Sequence, residues 1–373
     1  MTAIDDFAER IRAASAARTP LVIRAGGTKD FYGNATTGDV LDPRVHRGIV
    51  AYEPTELVAT VRAGTPLAEL EATLDERGQL LSFEPPHFAP GATVGGCVAA
   101  GLAGPRRASY GPLTGAVRDL VLGATLMNGR GEVLRFGGTV MKNVAGYDVA
   151  RALAGSLGTL GLLLEVSLKV LPKPAAEATL RLALDESSAL RAMNEWGGLP
   201  LPISATAWRD GTLTVRLSGA RAAVDAARAR LGGDVLDAAD AAAYWRGVRD
   251  HTDAFFAGTT PLWRLSLPST APALALQDDH AGAQLSAQSS AQLSAQLIEW
   301  GGAQRWLRTG AAAGVVRARA EALGGHATLF RTTGERVGVF HPLAPAIATI
   351  HQRLKSEFDP GGIFNRGRMY SQV

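Results

Sequence analysis

The chain has 373 residues, of which 46% are hydrophobic and 20% charged, with a formal net charge of +3. That length favours two domains with ordinary buried cores, and the small charge, with no basic stretch interleaved with aromatics, argues against nucleic acid as a partner. A single cysteine, Cys97, excludes an internal disulfide and points to a reducing, cytoplasmic compartment, and no apolar run approaches the ~20 residues needed to cross a bilayer.

The N-terminal stretch MTAIDDFAERIRAA is acidic early, and Ile4, Phe7, Ala8 and Ile11 follow helical spacing, which predicts an amphipathic surface helix and not a signal peptide. A β-type run, Leu21 to Arg24, then opens into Gly26, Gly27 and Thr28. Consecutive amides at such a turn can form a concavity for an anion such as a pyrophosphate. The GxGxxG spacing is absent and no helix follows directly, so this is neither the dinucleotide fingerprint nor a P-loop. Taken alone the signal is weak, and a plain turn is the commoner reading of these residues. Ile49 to Tyr52 predicts a strand, Pro54-Thr55-Glu56 a helix start, and Val61 to Gly64 a strand and turn. Pro66 opens a further helix with Leu67, Leu70 and Leu74 on one face, ending near Gly78, so the segment reads β-α-β-α.

A second Gly-rich region spans Pro90 to Val121. Thr93-Val94-Gly95-Gly96 leads into the small-residue run CVAAG, whose backbone can approach a ligand or another backbone closely. Val117 to Met127 predicts a strand and Asn128-Gly129 a hairpin turn. The third region runs from Gly137 to Pro174. It holds the polar turn KNVAGYD (Lys142 to Asp148), a short Ala-rich helix stopped at Gly155, and a buried strand from Leu160 to Val170 ended by Pro172 and Pro174. Gly158 and Gly161 lack side chains where turn meets strand. Something flat could lie on that backbone, although a tight turn in a core explains the same glycines.

The second half predicts a strand and helix over AEATLRLALDESSALRAMNEW, then a strand pair turning at Asp210-Gly211, then a helix from Arg221 to Leu231. Residues 277–296 are of low complexity, with AQLSAQ beginning at Ala283 and again at Ala291, and predict a surface insertion without chemistry. LIEWGGAQRWL resumes as a strand. Leu343, Ile347, Ile350 and Leu354 predict a last amphipathic helix.

Three Gly-rich loops separated by strands suggest one extended cofactor touched at several points. In RAGGTKD, GATVGG, KNVAGYD with GSLGTLG, and the tail DPGGIFNRGRMY, the chain resembles the FAD-binding domain of the vanillyl-alcohol-oxidase/p-cresol-methylhydroxylase (PCMH) class. Within that class, the segment from KNVAGYD to VLPKP, PLWRLSLP, EWGGAQRW and the tail are most similar to the smaller FAD-binding subunits of bacterial glycolate oxidases. The resemblance implies an α+β fold. Its PCMH-type FAD-binding domain, two α+β subdomains, would occupy residues 1–174, a smaller α+β cap domain 175–345, and a C-terminal helix and tail returning to the flavin 346–373.

Carried over by matching residues, it places Arg24, Gly26, Gly27, Thr28 and Lys29 at the FAD pyrophosphate. Thr93, Gly95, Gly96, Ala99, Gly101, Ser109 and Gly111 would lie along the central flavin path. Lys142, Asn143, Gly146, Tyr147 and Asp148 would sit near the ring or ribityl chain, Gly161 and Leu162 at the adenine side, and Asn365 near the isoalloxazine. The loop after Gly27 reads Thr-Lys-Asp-Phe-Tyr, without the His or Cys that attaches FAD in some members, and Cys97 reads as a small buried residue. FAD is therefore expected to be non-covalent.

Oxidation of a 2-hydroxy acid needs a group for the carboxylate, a base for the hydroxyl and an electron acceptor. Arg264 and Arg305 are the candidates for the carboxylate, and equally for structural ion pairs. His326 and His341 are candidate bases, although a lone His is more often structural. The seven histidines show no ligand spacing, and no metal is expected. By resemblance, the function is the FAD-binding subunit of a multi-subunit glycolate oxidase. Its partners would be a second flavoprotein subunit and an iron–sulfur subunit, with contact to the inner membrane made through them. A stand-alone FAD-dependent 2-hydroxy acid dehydrogenase and a non-catalytic assembly subunit are the alternatives.

Overall fold

The computed structural model describes residues 2–110, 115–139, 148–274 and 295–372. Helix α1 (Ala3–Ala17) opens with a capping box: Thr2 Oγ1 accepts the Asp5 N–H and the Asp5 carboxylate accepts the Thr2 N–H at 2.8 Å. Its apolar face, Phe7, Ile11 and Ala14, is buried, as its spacing predicts. The short strands β1 (Leu21–Ile23) and β2 (Asp39–Leu41) pair in parallel.

A five-stranded antiparallel sheet follows, built from β3 (Ile49–Glu53), β4 (Val58–Arg62), β6 (Val121–Met127), β7 (Val133–Gly137) and β8 (Leu162–Lys169), in the order β3-β4-β8-β6-β7. The central β8 is almost wholly buried because both faces are covered. Leu162 and Leu164 meet α1 and the C-terminal Ile363 and Phe364, whereas Leu163, Val166 and Leu168 join the core under α2 (Leu67–Asp75) and α3 (Val94–Ala100). A small pair, β5 (Gln79–Leu80) with β9 (Leu171–Pro172), closes the end of this layer.

Two expectations here are corrected. Pro54-Thr55-Glu56 starts no helix: the antiparallel pairing of Glu53 with Val58 leaves room only for a tight turn, with Leu57 at φ 55°. The segment is therefore β-β-α. The strand predicted from Val117 begins at Val121, because Val117–Leu120 forms one helical turn, α4, in which the Asp119 carboxylate accepts the Ala116 N–H at 3.1 Å. The hairpin after Met127 falls where Asn128-Gly129 predicts it, but Gly131, at φ 70°, takes the left-handed position.

Helix α5 (Val149–Leu153) leads back into β8. In the second half, β10 (Ala176–Ala183), β11 (Ile203–Arg209), β12 (Thr212–Gly219), β13 (Asp234–Val235), β14 (Leu262–Ser266), β15 (Ala295–Glu299), β16 (Gln304–Arg308) and β17 (His326–Arg331) form one antiparallel sheet, ordered β13-β10-β12-β11-β15-β16-β14-β17. Asp210 and Gly211, at φ 48° and 76°, make the tight turn their sequence predicts. LIEWGGAQRWL is not one strand but the hairpin β15–β16. Trp300, Gly301 and Gly302 all have positive φ and reverse the chain. The low-complexity segment also ends earlier than predicted, since Ala295 and Gln296 already pair in β15; residues 275–294 lie outside the described residues.

Helices α6 (Glu186–Gly197) and α7 (Arg221–Leu231) pack on this sheet, and α9 (Ala313–Ala322) covers β14 and β17. Helix α8 (Ala238–Asp250) ends at His251 in the left-handed region. The sheet meets the first half through an aromatic cluster that includes Tyr32, Leu102, Phe256, Leu262, Trp306 and Phe330.

The last helix, α10 (Pro345–Phe358), carries the predicted stripe outward: Ile347, Ile350 and Leu354 are 44%, 52% and 36% exposed. Its inner face is anchored by a polar residue. Buried Lys355 donates to the carbonyls of Thr159 (2.7 Å) and Phe364 (2.8 Å) and pairs with Asp359 at 2.8 Å. The tail beyond it bridges β1, with the Leu21 N–H donating to Ile363 O and the Asn365 N–H to Leu21 O.

Candidate functional site

Four segments far apart in sequence converge on one cleft. The first is the loop after β1. Arg24 Nε pairs with Asp30 Oδ2 at 2.7 Å, and the Asp30 N–H donates to Gly27 O, which folds residues 24–30 into a compact turn with Gly27 at φ 68°. Ala25, Gly26, Thr28 and Lys29 line the cleft with them. The second segment stacks directly on the first. A Cβ at Gly26 would lie 1.8 Å from the Gly91 carbonyl oxygen, so only glycine fits there. Thr93 caps α3, its Oγ1 accepting the Gly96 N–H at 3.2 Å, and the bare backbone of Gly96 lines the cleft together with Ala99 and Ala100.

The third and fourth segments meet at Asn365. Its Oδ1 accepts the Ile23 N–H at 2.8 Å and its Nδ2 donates to Leu157 O at 2.6 Å, so one side chain ties together the first loop, the third loop and the tail. A Cβ at Gly158 would lie 2.7 Å from that Nδ2. Arg368 in the tail donates to the carbonyls of Lys29 (3.1 Å) and Asp30 (3.3 Å). Burial pushes the Lys29 ammonium below the usual lysine range, opposed by the negative side of Asp250.

Of the sequence-predicted residues, Arg24, Gly26, Gly27, Thr28, Lys29, Thr93, Gly96, Ala99 and Asn365 are thus brought together. Others pack behind the wall. Gly95 lies against Ala63, where a Cβ would come within 2.6 Å of the Ala63 Cβ. Gly101 ends α3 at φ 64° against the Gly155 backbone. Gly161, at φ 150°, packs on the Met127 carbonyl, and Leu162 is 1% exposed in the core beneath. Asp148 pairs with Arg151 at 2.9 Å, and Ser109 lies in a 3-10 turn, Pro105–Tyr110. Gly111, Lys142, Asn143, Gly146 and Tyr147 lie outside the described residues.

The two carboxylate candidates separate. Arg305 is 0% exposed and spends its guanidinium on the backbone carbonyls of Ala271, Pro272 and Gly302, so it staples a loop and has no face for a ligand. That expectation is corrected. Arg264, on β14, donates Nε–H to Gln304 Oε1 at 2.7 Å and lies 5.4 Å over the Trp300 ring. His341 is held between the Ala327 N–H and Glu321, and His326 lies beside it at 6.2 Å between ring centres. These contacts fit structural histidines. Among the described residues, no group of three or more His, Cys, Asp or Glu is placed to hold a metal.

Sequence reasoning missed a second, smaller cavity, lined by Phe88, His251, Arg264, Glu299, Gln304 and Trp306. Glu299 is 2% exposed and accepts Trp306 Nε1–H (2.6 Å) and Gln304 Nε2–H (3.1 Å), both on Oε2. Burial pushes its carboxyl up to about 7. His251 stacks on Phe256 at 3.8 Å, and burial with the Arg331 and Arg264 charges drives its pKa well below the usual range. The available signal was an acid closing the apolar run Leu297-Ile298-Glu299 at a Trp-Gly-Gly turn.

Fold and cleft define a class: residues 1–137 match the family described as FAD binding domain. A solved structure of alkyldihydroxyacetonephosphate synthase superposes with a TM-score of 0.65 at 14% identity, covering 96% of this chain and 74% of that one, a likeness of fold. The chain is 46% identical over 365 residues to glycolate oxidase subunit GlcE of Escherichia coli K12, 98% of this chain and 97% of that protein. It belongs to the GlcE family of glycolate oxidase subunits and is an FAD-dependent oxidoreductase of the PCMH type. Glycolate oxidase subunit GlcD of Bacillus subtilis matches more narrowly, 33% identical over 185 residues, 49% of this chain and 38% of that one.

Proposed function

We propose that this chain is the FAD-binding subunit of a multi-subunit glycolate oxidase that takes glycolate to glyoxylate and passes the electrons to partner subunits. The observation that carries the reading is the end-to-end identity to GlcE, together with a cleft built from the same loops that resemble flavin loops in sequence.

The cleft suits FAD. Amides of residues 26–29, with Lys29 and Arg368 beside them, offer donors and positive charge to a diphosphate. Gly96, Ala99 and Ala100 leave a floor on which a flat ring can lie. When bound, the flavin supplies the acceptor for the two electrons of a 2-hydroxy acid. The chain's own residues hold and orient it: Asn365 fixes the tail against the first and third loops, and Gly26 keeps the first and second in contact. Lys142, Asn143, Gly146, Tyr147 and Asp148 are assigned to the ring and ribityl side by resemblance, and Ser109 and Gly111 to the central flavin path. Gly95, Gly101, Gly161 and Leu162 support the wall from behind.

FAD is held non-covalently on this reading. The described residues lining the cleft include neither His nor Cys, and Cys97 is buried with its thiol pushed up to about 12. Residues 1–174 form the flavin-binding domain, 175–345 the cap, and 346–373 the returning helix and tail. A second flavoprotein subunit and an iron–sulfur subunit complete the complex; with one cysteine, this chain cannot hold a cluster of its own. No helix among the described residues is long and apolar enough to cross a membrane, so the reading is a cytoplasmic subunit that reaches the inner membrane through partners.

The test is a visible spectrum of the purified chain, followed by acid precipitation and then anaerobic glycolate with and without the partner subunits. Flavin absorbance, release of free FAD into the supernatant, and bleaching by glycolate in the assembled complex are expected. A colourless chain that FAD does not reconstitute would refute the reading and favour an assembly role.

A further inference from the structure

A cavity of about 610 Å³ lies where the 3-10 turn Pro105–Tyr110 packs on the second-half sheet. It shares no lining residue with the flavin cleft or with the small cavity at Glu299. Small-molecule sites typically measure about 300–1,000 Å³ and favour the seams between domains. The walls here are apolar: Met193 and Trp196 from α6, Leu199 and Leu201 after it, Ile203 from β11 and Leu267 after β14. The polar side chains among them are already engaged. Asn194 Nδ2 donates to the carbonyls of Leu190 and Ser269, both at 2.9 Å, and its Oδ1 accepts the Ser269 hydroxyl at 3.0 Å. Thr206 Oγ1 accepts the Gly301 N–H at 2.9 Å, and Ser204 Oγ lies 2.7 Å from Ser218 Oγ.

The lining holds one charged residue, Arg107. Its guanidinium lies 4.6 Å over the Trp300 ring, which is itself fixed by donating Nε1–H to Gly104 O at 3.1 Å. Among the described residues, no carboxylate lies within ion-pair distance of Arg107 and no hydrogen bond reaches its guanidinium. Asp119, the acid that acts on it electrostatically, is taken by the Ala116 N–H at 3.1 Å and by Arg118 at 3.8 Å. Arg264, 5.4 Å over the same Trp300 ring, adds repulsion. A half-buried cation without a counterion costs free energy, and an anion held against it would recover part of that cost.

We propose that this cavity is a binding site for a monocarboxylic acid with an apolar body, aliphatic or aromatic. Its carboxylate sits on Arg107 and its body against Trp196, Leu201 and Ile203. A single guanidinium selects one negative charge and can hold a carboxylate through two parallel N–H···O bonds. With the other polar side chains satisfied inside the protein, the walls offer a ligand apolar surface and little else. Glycolate, which is all carboxylate and hydroxyl, has no body for these walls. A phosphorylated ligand would bring further charge with no second cation in the lining to meet it. The site goes beyond the flavin-subunit reading: it lies apart from the flavin cleft, so its ligand does not compete there.

The experiment is equilibrium dialysis of radiolabelled octanoate, octanol and acetate against the FAD-loaded chain with its flavin reduced. It is repeated in saturating glycolate and again with the partner subunits added. Octanoate is expected to bind at one site per chain, at least tenfold more tightly than octanol, which lacks the charge, or acetate, which lacks the body. Arg107→Gln should bring octanoate to within threefold of octanol, and Arg107→Lys should fall between. Leu201→Ala should weaken octanoate and octanol by a similar factor, at least threefold. All variants should keep the wild-type flavin content, which reports folding. If Arg107→Gln does not fold, Arg107→Lys and the comparison of octanoate with octanol on wild type decide the matter. Equal binding of octanoate and octanol, an unchanged preference in the Arg107 variants, or no saturable binding would overturn the assignment. Displacement of octanoate by glycolate would overturn it too, as would its release by the partner subunits, which would make the cavity part of their interface.

Discussion

The buried carboxyl of Glu299 makes stability depend on pH in a way a single substitution can remove. Its pKa rises from 4.5 to about 7, chiefly because burial disfavours the charged form, with Glu84 adding repulsion; the bonds from Trp306 and Gln304 and the charge of Arg264 act in the opposite direction. The folded protein therefore binds this proton more tightly than the unfolded chain. The resulting stability is fully present below pH 4.5 and is lost as pH rises through 7. At ~1.4 kcal/mol per unit, the whole effect is about 3 kcal/mol, with roughly 2 kcal/mol of it falling between pH 5.5 and 8. Glu299→Gln keeps the shape and the acceptor for Trp306 and Gln304 but cannot ionise. Urea unfolding of wild type and variant, both FAD-loaded, from pH 5 to 8.5 should show the variant gaining on wild type as pH rises. Parallel stability curves across that range would refute the reasoning, because they would mean the carboxyl is already charged in the folded state.

Gly26→Ala places a Cβ on the Gly91 carbonyl and should lower FAD content at least tenfold, read by absorbance after purification. Lys355→Met leaves the Asp359 carboxylate buried and unpaired and should cost about 3–5 kcal/mol in denaturant unfolding; a loss under 1 kcal/mol would show that the pair is not needed. Asn365→Ala removes the bonds to Ile23 N–H and Leu157 O, at about 1–3 kcal/mol for each group left unpaired, and should weaken FAD binding more than it lowers the melting temperature. Cys97, buried with its thiol raised to about 12, should resist a thiol reagent at pH 8 until the chain is unfolded. Stoichiometric labelling of the native protein would contradict that.

Local patterns were legible where one element decides its own conformation. The spacing of Phe7 and Ile11, the Asp210-Gly211 turn and the Arg221–Leu231 helix all read correctly because cap, turn and periodicity are short-range properties. The failures share a cause in tertiary contact. Pro54-Thr55-Glu56 carries good helix-start chemistry, but the pairing of β3 with β4 leaves a turn and nothing longer. Arg305 and Arg264 both looked like carboxylate ligands, and only the fold shows one enclosed by carbonyls and the other in a cavity. The stripe of α10 is periodic, yet the helix docks through Lys355 and leaves Ile347 and Ile350 outside. Periodicity predicts that a helix has two faces; it does not say which face the rest of the chain will cover.

The cleft depends on contacts that no local pattern encodes. Asn365 reaches Ile23 across 342 positions, and Asn34 holds the Gly367 carbonyl at 2.8 Å across 333. Closing such contacts costs chain entropy before they return stability. Within the first half, β8 and α3 have local or fully buried support, whereas the tail beyond its two core anchors, Ile363 and Phe364, is held by a handful of hydrogen bonds. The tail is thus the part whose docking a ligand in the cleft can most affect, because Asn365 and Arg368 line the cleft themselves. A cofactor bound there stabilises only the docked form, so its binding energy appears as tail order. On this argument, FAD should slow amide exchange in residues 365–370 far more than in β8.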